Sequence, residues 1–412
     1  MPDQENGLIP KRLSETGAFR NIYELTPADG LIPYDLNVPF YSDGASKSRW
    51  IAVPRDDSAS QPKIAFASIG EWKFPNGTVF VKHFEIITDE TRPTLKRRLE
   101  TRILVRDVKG GVYGATYKWR TDNSDADLLT SNLWETISIR TATGVRTQVW
   151  YYPSRVDCRT CHTELAGGVL GVKTRQLNRD FSYPNGVADN ELRVWNHIGL
   201  FEPPLDEVDI PNFACLARAD DGRRTLQDRA RSYLDANCAH CHRPGGTVVS
   251  FDTRYDTPLA KQNLIDWPVL IDEGIDKARV IAPNDIWRSI AFMRINTLEA
   301  MKMPPLAHQK LDEVGVELLR EWIQSLPGPR VLDPPTISPP GSKGRGPIQV
   351  TLSSREPGAS IRYTLDGSVP TTSDPVYERP IKLTEPTILR AKAFKTDFTR
   401  SITVQQLFLL DD

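Results

Sequence analysis

The chain has 412 residues, of which 39% are hydrophobic and 25% charged, and its formal net charge is -1 at pH 7. That length exceeds a single hydrophobic core and predicts a multidomain globular protein. The near-neutral balance, with no long basic block, gives no support to nucleic-acid binding, and no apolar run is long enough for a transmembrane helix.

Taken in chain order, Met1 to Gly17 is polar and lacks the apolar stretch of a signal peptide. From about Gly30 to Tyr152, short alternating runs with turn residues between them predict antiparallel strands. Thr78 to Ile86 follows the Pro75-Asn76-Gly77 turn, and Arg98 to Val105 and Val112 to Trp119 flank Gly110-Gly111. Trp134 to Arg140 and Val145 to Tyr152 are joined near Thr143-Gly144. From Cys158 to Pro327 the pattern reads as helical periods broken by loops, clearest at Arg224 to Asn237 and Leu311 to Leu326. Pro327 to Pro347 holds seven prolines and four glycines in 21 residues, a linker composition. Strands return near Gln349–Leu352, Ile361–Leu365, Ile388–Phe394 and Thr403–Phe408. The expected division is 1–152 (β-rich), 153–222, 223–327, a linker at 328–347, and a β domain at 348–412. The fold class expected is α+β, with a mostly α-helical middle.

Four of the five cysteines fall in two C-x-x-C-H motifs, Cys158-Arg159-Thr160-Cys161-His162 and Cys238-Ala239-His240-Cys241-His242. Two thiols at this spacing can each form a thioether with a vinyl group on one porphyrin edge, and the next histidine then lies beneath the ring as an iron ligand. A shared four-cysteine zinc site would need closer motifs, and a thioredoxin-like pair would need a βαβ setting. The motifs therefore predict two covalently bound haem c groups, with Cys158, Cys161, Cys238 and Cys241 as attachment points and His162 and His242 as proximal iron ligands. Because haem attachment to cysteine occurs outside the cytoplasm, a periplasmic or secreted location is expected, with a leader or upstream portion removed.

The distal ligands differ in how well the sequence names them. Met303, in Met301-Lys302-Met303-Pro304-Pro305, is the expected distal ligand of the second haem, with Met301 and His308 as fallbacks. For the first haem, His197, His83, a lysine such as Lys173, or no protein ligand all remain open. His240 is expected to face solvent. The odd cysteine, Cys215, is expected to be a buried hydrophobe.

The helix ending in the second motif, the Met-Pro loop and the helix after it resemble class I cytochrome c over about 223–326. A wider stretch is similar to a family of bacterial diheme c-type cytochromes, which stand alone or joined to quinoprotein sugar dehydrogenase-like domains. The likeness runs through Leu31-Ile32-Pro33-Tyr34, Phe40-Tyr41-Ser42-Asp43-Gly44, Phe74-Pro75-Asn76-Gly77-Thr78, Arg98-Leu99-Glu100-Thr101-Arg102 and His197-Ile198-Gly199. It implies electron transfer with a redox partner protein such as a dehydrogenase. Pro335-Thr336-Ile337-Ser338-Pro339 and Ile361 to Thr371 resemble the chitobiase/β-hexosaminidase C-terminal domain, which implies an immunoglobulin-like β-sandwich acting as a spacer or as a docking module, with polysaccharide as the candidate contact. The rival to an iron- and metal-binding electron carrier is a haem enzyme, such as a diheme peroxidase, if the first iron keeps an open face.

Overall fold

The computed structural model describes residues 1–55, 62–341 and 343–411. The chain folds as two compact units, one formed by Met1–Gln262 with Ile295–Leu318 and the other by Asn263–Arg294 with Leu319–Asp412.

The first unit is built on a six-stranded antiparallel sheet, in the order Ile32–Tyr34, Ser46–Ala52, Val79–Ile87, Lys96–Arg106, Val112–Trp119 and Ala126–Leu128. Alternation sorts its side chains into two faces. Trp50, Val81, Ile103 and Tyr113 point to one core with Leu13, Tyr117 and Trp119. Phe80, Leu104 and Val112 point to the other, which is filled by Trp72, Leu192, Trp195 and Phe201. A separate hairpin, Leu133–Thr141 with Gly144–Tyr152, buries Ile137, Ile139, Trp150 and Tyr152 against Phe84 and Leu99. This part follows the alternating pattern of the sequence to within one or two residues at each strand end.

The expectation of a mostly α-helical region after Cys158 is overturned. Strand makes up 30% of the structure and helix 16%. The helices are short: α1 (Arg155–Cys161), α2 (Thr174–Leu177), α3 (Glu191–His197), α4 (Leu226–Asn237), α5 (Ile290–Ile295) and α6 (Glu313–Ser325). Long irregular segments lie between them, with small strand pairs such as Asp180–Ser182 with Ala188–Asn190. The physical reason is proline and glycine: Pro203-Pro204, Pro211, Pro244-Gly245-Gly246, Pro258, Pro268, Pro283 and Pro304-Pro305 remove donors or break the helical conformation wherever a longer helix would run. Apolar residues at helical spacing are buried instead by loops laid on the sheet.

In the second unit, a three-stranded sheet (Thr336–Ser338, Ile348–Ser353, Ile381–Leu383) faces a four-stranded one (Lys343–Arg345, Val404–Asp411, Thr387–Phe394, Ser360–Thr364). Val350, Leu352, Leu389, Ala391 and Phe408 fill the space between, giving a β-sandwich. The buried Arg288 guanidinium pairs with Asp285 and donates to the Arg400 and Ser401 carbonyls, so the segment at 285–288 is part of this unit's packing.

Candidate functional site

The first motif is positioned by the end of the hairpin. Strand Gly144–Tyr152 runs into Ser154, which caps α1: its hydroxyl accepts from the Asp157 amide, while the Asp157 carboxylate accepts from the Ser154 amide at 2.8 Å and the Tyr151 hydroxyl at 2.6 Å. Helix α1 lies across the sheet at Gly114. A Cβ on Gly114 would stand 2.6 Å from the Cys158 sulfur, so this strand position admits the thiol only because it has no side chain.

Past Cys161 the chain turns through Gly167-Gly168, both at positive φ. That turn brings the Gly168 carbonyl to 2.7 Å from His162 Nδ1. A carbonyl can only accept, so Nδ1 carries the proton and Nε2 is left with its lone pair. Burial holds the His162 imidazolium well below its ordinary range, down to about 4, and the ring is neutral at pH 7.

The second motif repeats the backbone pattern at the end of α4. The His242 amide donates to the Cys238 carbonyl at 2.9 Å, as the His162 amide does to Cys158 at the same distance. Phe251 stacks on the His242 ring at 4.5 Å, with the planes 11° apart. Helices α4 and α6 approach so closely that a Cβ on Gly315 would lie 2.3 Å from the Tyr233 ring.

The two motifs are neighbours. The Arg243 guanidinium, following the second, donates to the Leu165 carbonyl, following the first, at 3.1 Å. A Cβ on Gly245 would lie 3.7 Å from the Leu165 side chain. All five cysteines are free. Cys161 and Cys241 share a hydrogen bond that pushes Cys161 up and holds Cys241 below its ordinary range, with His240 adding a second hydrogen bond to Cys241. Burial pushes Cys238 up to about 12.

One cavity borders both motifs. Cys158, Cys161 and His162 line it with His240 and Arg243, and the sheet contributes Phe80, Lys82, Arg102 and Leu104. Its cations are mostly matched: Arg102 grips Glu100, Arg243 grips Glu71, and Lys173 lies 3.5 Å from Glu71 and 3.2 Å from Asp235. Lys82 makes no ion pair among the described residues and lies 5.0 Å over the Phe84 ring. Burial, then the charges of Arg49, Lys47 and Arg102, holds its ammonium well below the ordinary range.

The remaining sequence-named residues are dispersed. His197 ends α3 on the surface, exposed and outside the cavity lining. His83 is buried on the sheet, bonded to the Thr101 hydroxyl at 2.8 Å and edge-on to Trp119. Met301 and Met303 are half-buried in the loop between α5 and α6, and His308 is buried nearby. His240 faces the cavity with Phe40 edge-on at 5.9 Å, contrary to the solvent-facing position expected of it. Cys215 is half-buried and accepts from the Asn37 amide at 3.3 Å. Sequence reading missed Lys82, although a lysine on the inward side of an otherwise apolar strand is the signal that would find it.

Residues 339–405 match the chitobiase/beta-hexosaminidase C-terminal domain family. No curated protein matches the chain, and no solved structure does. The expected description as an iron- and metal-binding cytochrome is corrected accordingly. The fold is β-rich, the family match is carbohydrate-related, and among the described residues no group of three or more His, Cys, Asp or Glu could hold a metal ion. Among the described residues, no helix is long and apolar enough to cross a membrane. The C-terminal region is thus a β-sandwich that matches a carbohydrate-related family and is compatible with polysaccharide contact.

Proposed function

We propose that the chain is an extracytoplasmic electron-transfer protein that carries haem c covalently at both C-x-x-C-H motifs and exchanges electrons with a secreted or periplasmic oxidoreductase. The likeness to the diheme family belongs to this reading. The observation that carries it is the first motif's seat: Cys158 lies over a glycine of the sheet, and His162 donates Nδ1–H to a carbonyl beside a cavity lined by both residues. This hydrogen bond fixes the imidazole's tautomer and orientation and makes Nε2 a better donor.

In this reading Cys158, Cys161, Cys238 and Cys241 supply the thioethers, His162 and His242 are the proximal ligands, and Met303 is the distal ligand of the second group. Bound haem supplies an iron that takes up and releases one electron. The protein's part is to hold each imidazole still, as Gly168 does for His162 and Phe251 for His242, and to wall the groups with apolar side chains that set the local dielectric. Attachment through two thioethers and one imidazole does not require three converging metal ligands.

The test is expression of the full chain in an extracytoplasmic compartment that attaches haem, followed by absorbance of the denatured protein. Two haems per chain are expected, falling to one in Cys158→Ser/Cys161→Ser and to one in Cys238→Ser/Cys241→Ser. A purified wild-type chain without covalent haem would sink the reading.

The family match at 339–405 favours a second role, docking on polysaccharide through the sandwich. Retention of the full chain on an insoluble polysaccharide supports it, and equal elution with and without the matrix rejects it.

A further inference from the structure

The distal side of the first site is the open question left by the sequence, and the reading here rests on haem being bound at Cys158 and Cys161. We infer that His240, from inside the second motif, supplies the distal imidazole to the iron held at the first motif.

Three observations converge. First, His240 lines the same cavity as Cys158, Cys161 and His162. Second, the loop that carries it is tied to the first motif by the Arg243 guanidinium on the Leu165 carbonyl. Third, the other nitrogen donors named from the sequence are engaged or absent from the cavity. His83 is bonded on the sheet, His197 is exposed, and Lys173 is matched by Glu71 and Asp235. Lys82 is the rival within the cavity. An imidazole is the better candidate because it is the commonest metal ligand among side chains.

The arrangement has a consequence for electron flow. His240 precedes Cys241, so the distal ligand of one group and a thioether anchor of the other are adjacent residues. The two irons would be joined through a short covalent stretch of one chain.

The experiment uses the full chain with both haems attached, with electron paramagnetic resonance and cyanide binding as readouts. Wild type is expected to be wholly low-spin. His240→Ala should convert about half of the ferric iron to high spin and bind about one cyanide per chain, with added imidazole restoring the low-spin signal. His240→Met, a second variant that keeps a ligand, should raise the midpoint potential of one haem only, because a thioether favours ferrous iron. An unchanged His240→Ala spectrum, a wild type already half high-spin, or the same conversion in Lys82→Ala would each overturn the inference. A wild type without covalent haem would overturn the proposed function itself, and the haem count shows that separately.

Discussion

Glu191 opens α3 and is fully buried, and burial raises its carboxyl from the ordinary 4.5 to about 8. One oxygen accepts from the Asp35 amide at 2.8 Å, and the other has no hydrogen-bond partner among the described residues. Between pH 4.5 and about 8 the folded chain therefore holds a proton that the unfolded chain has released, so stability falls as pH rises through that window. Glu191→Gln keeps the acceptor and removes the titration. The urea midpoint of the variant should vary less between pH 5 and pH 8 than that of wild type. An identical pH dependence in the two proteins would refute the assignment. A glutamate at the start of a helix is usually an exposed partner of the helix dipole. Sequence could not show that this one lies under Asp35, because the contact joins residues 156 positions apart.

At the scale of elements, α1 meets strand Val112–Trp119 at Gly114. Adding the two methyl groups of Gly114→Val would drive them into the Cys158 sulfur, which already stands 2.6 Å from the Cβ position. Haem content should drop from two toward one per chain, with the second motif unaffected, as denatured absorbance would show. Full occupancy in the variant would mean that Cys158 does not need the glycine. The strands themselves were legible, since alternation and the Gly110-Gly111 and Thr143-Gly144 turns mark them. The helices were legible only where a run escaped proline. Leu226–Asn237 and Glu313–Ser325 are such runs, whereas between Pro244 and Pro305 the α-helix Ile290–Ile295 is only six residues long.

At the scale of the whole molecule, a buried ion network ties the first unit together around the motifs. Asp235, three residues before Cys238, accepts from Arg175 through two nitrogens at 3.0 Å and lies 3.2 Å from the Lys173 ammonium. Arg175 also pairs with Asp256, and Glu71 joins Lys173 to Arg243. Burial opposes ionisation of Asp235, but Lys173 and Arg175 outweigh it and hold the carboxyl well below its ordinary range. The resulting stability is present above about pH 4 and is lost as pH falls below that. Asp235→Asn leaves two buried cations short of an anion and should cost roughly 3–5 kcal/mol in denaturant unfolding at pH 7. A loss below about 1 kcal/mol, the range of exposed ion pairs, would refute the network's role.

The sequence by itself determined which residues form local patterns. The two C-x-x-C-H motifs, the alternating strands and the sandwich at the C-terminus are local patterns, in which a residue's role depends on neighbours a few positions away. Only the tertiary structure decided what those residues face. It set the two motifs side by side, turned His240 and Lys82 into one cavity, and carried His197 to the surface. It also replaced the expected helical middle with loops laid on a sheet. Such outcomes depend on long-range packing, which chain spacing does not encode.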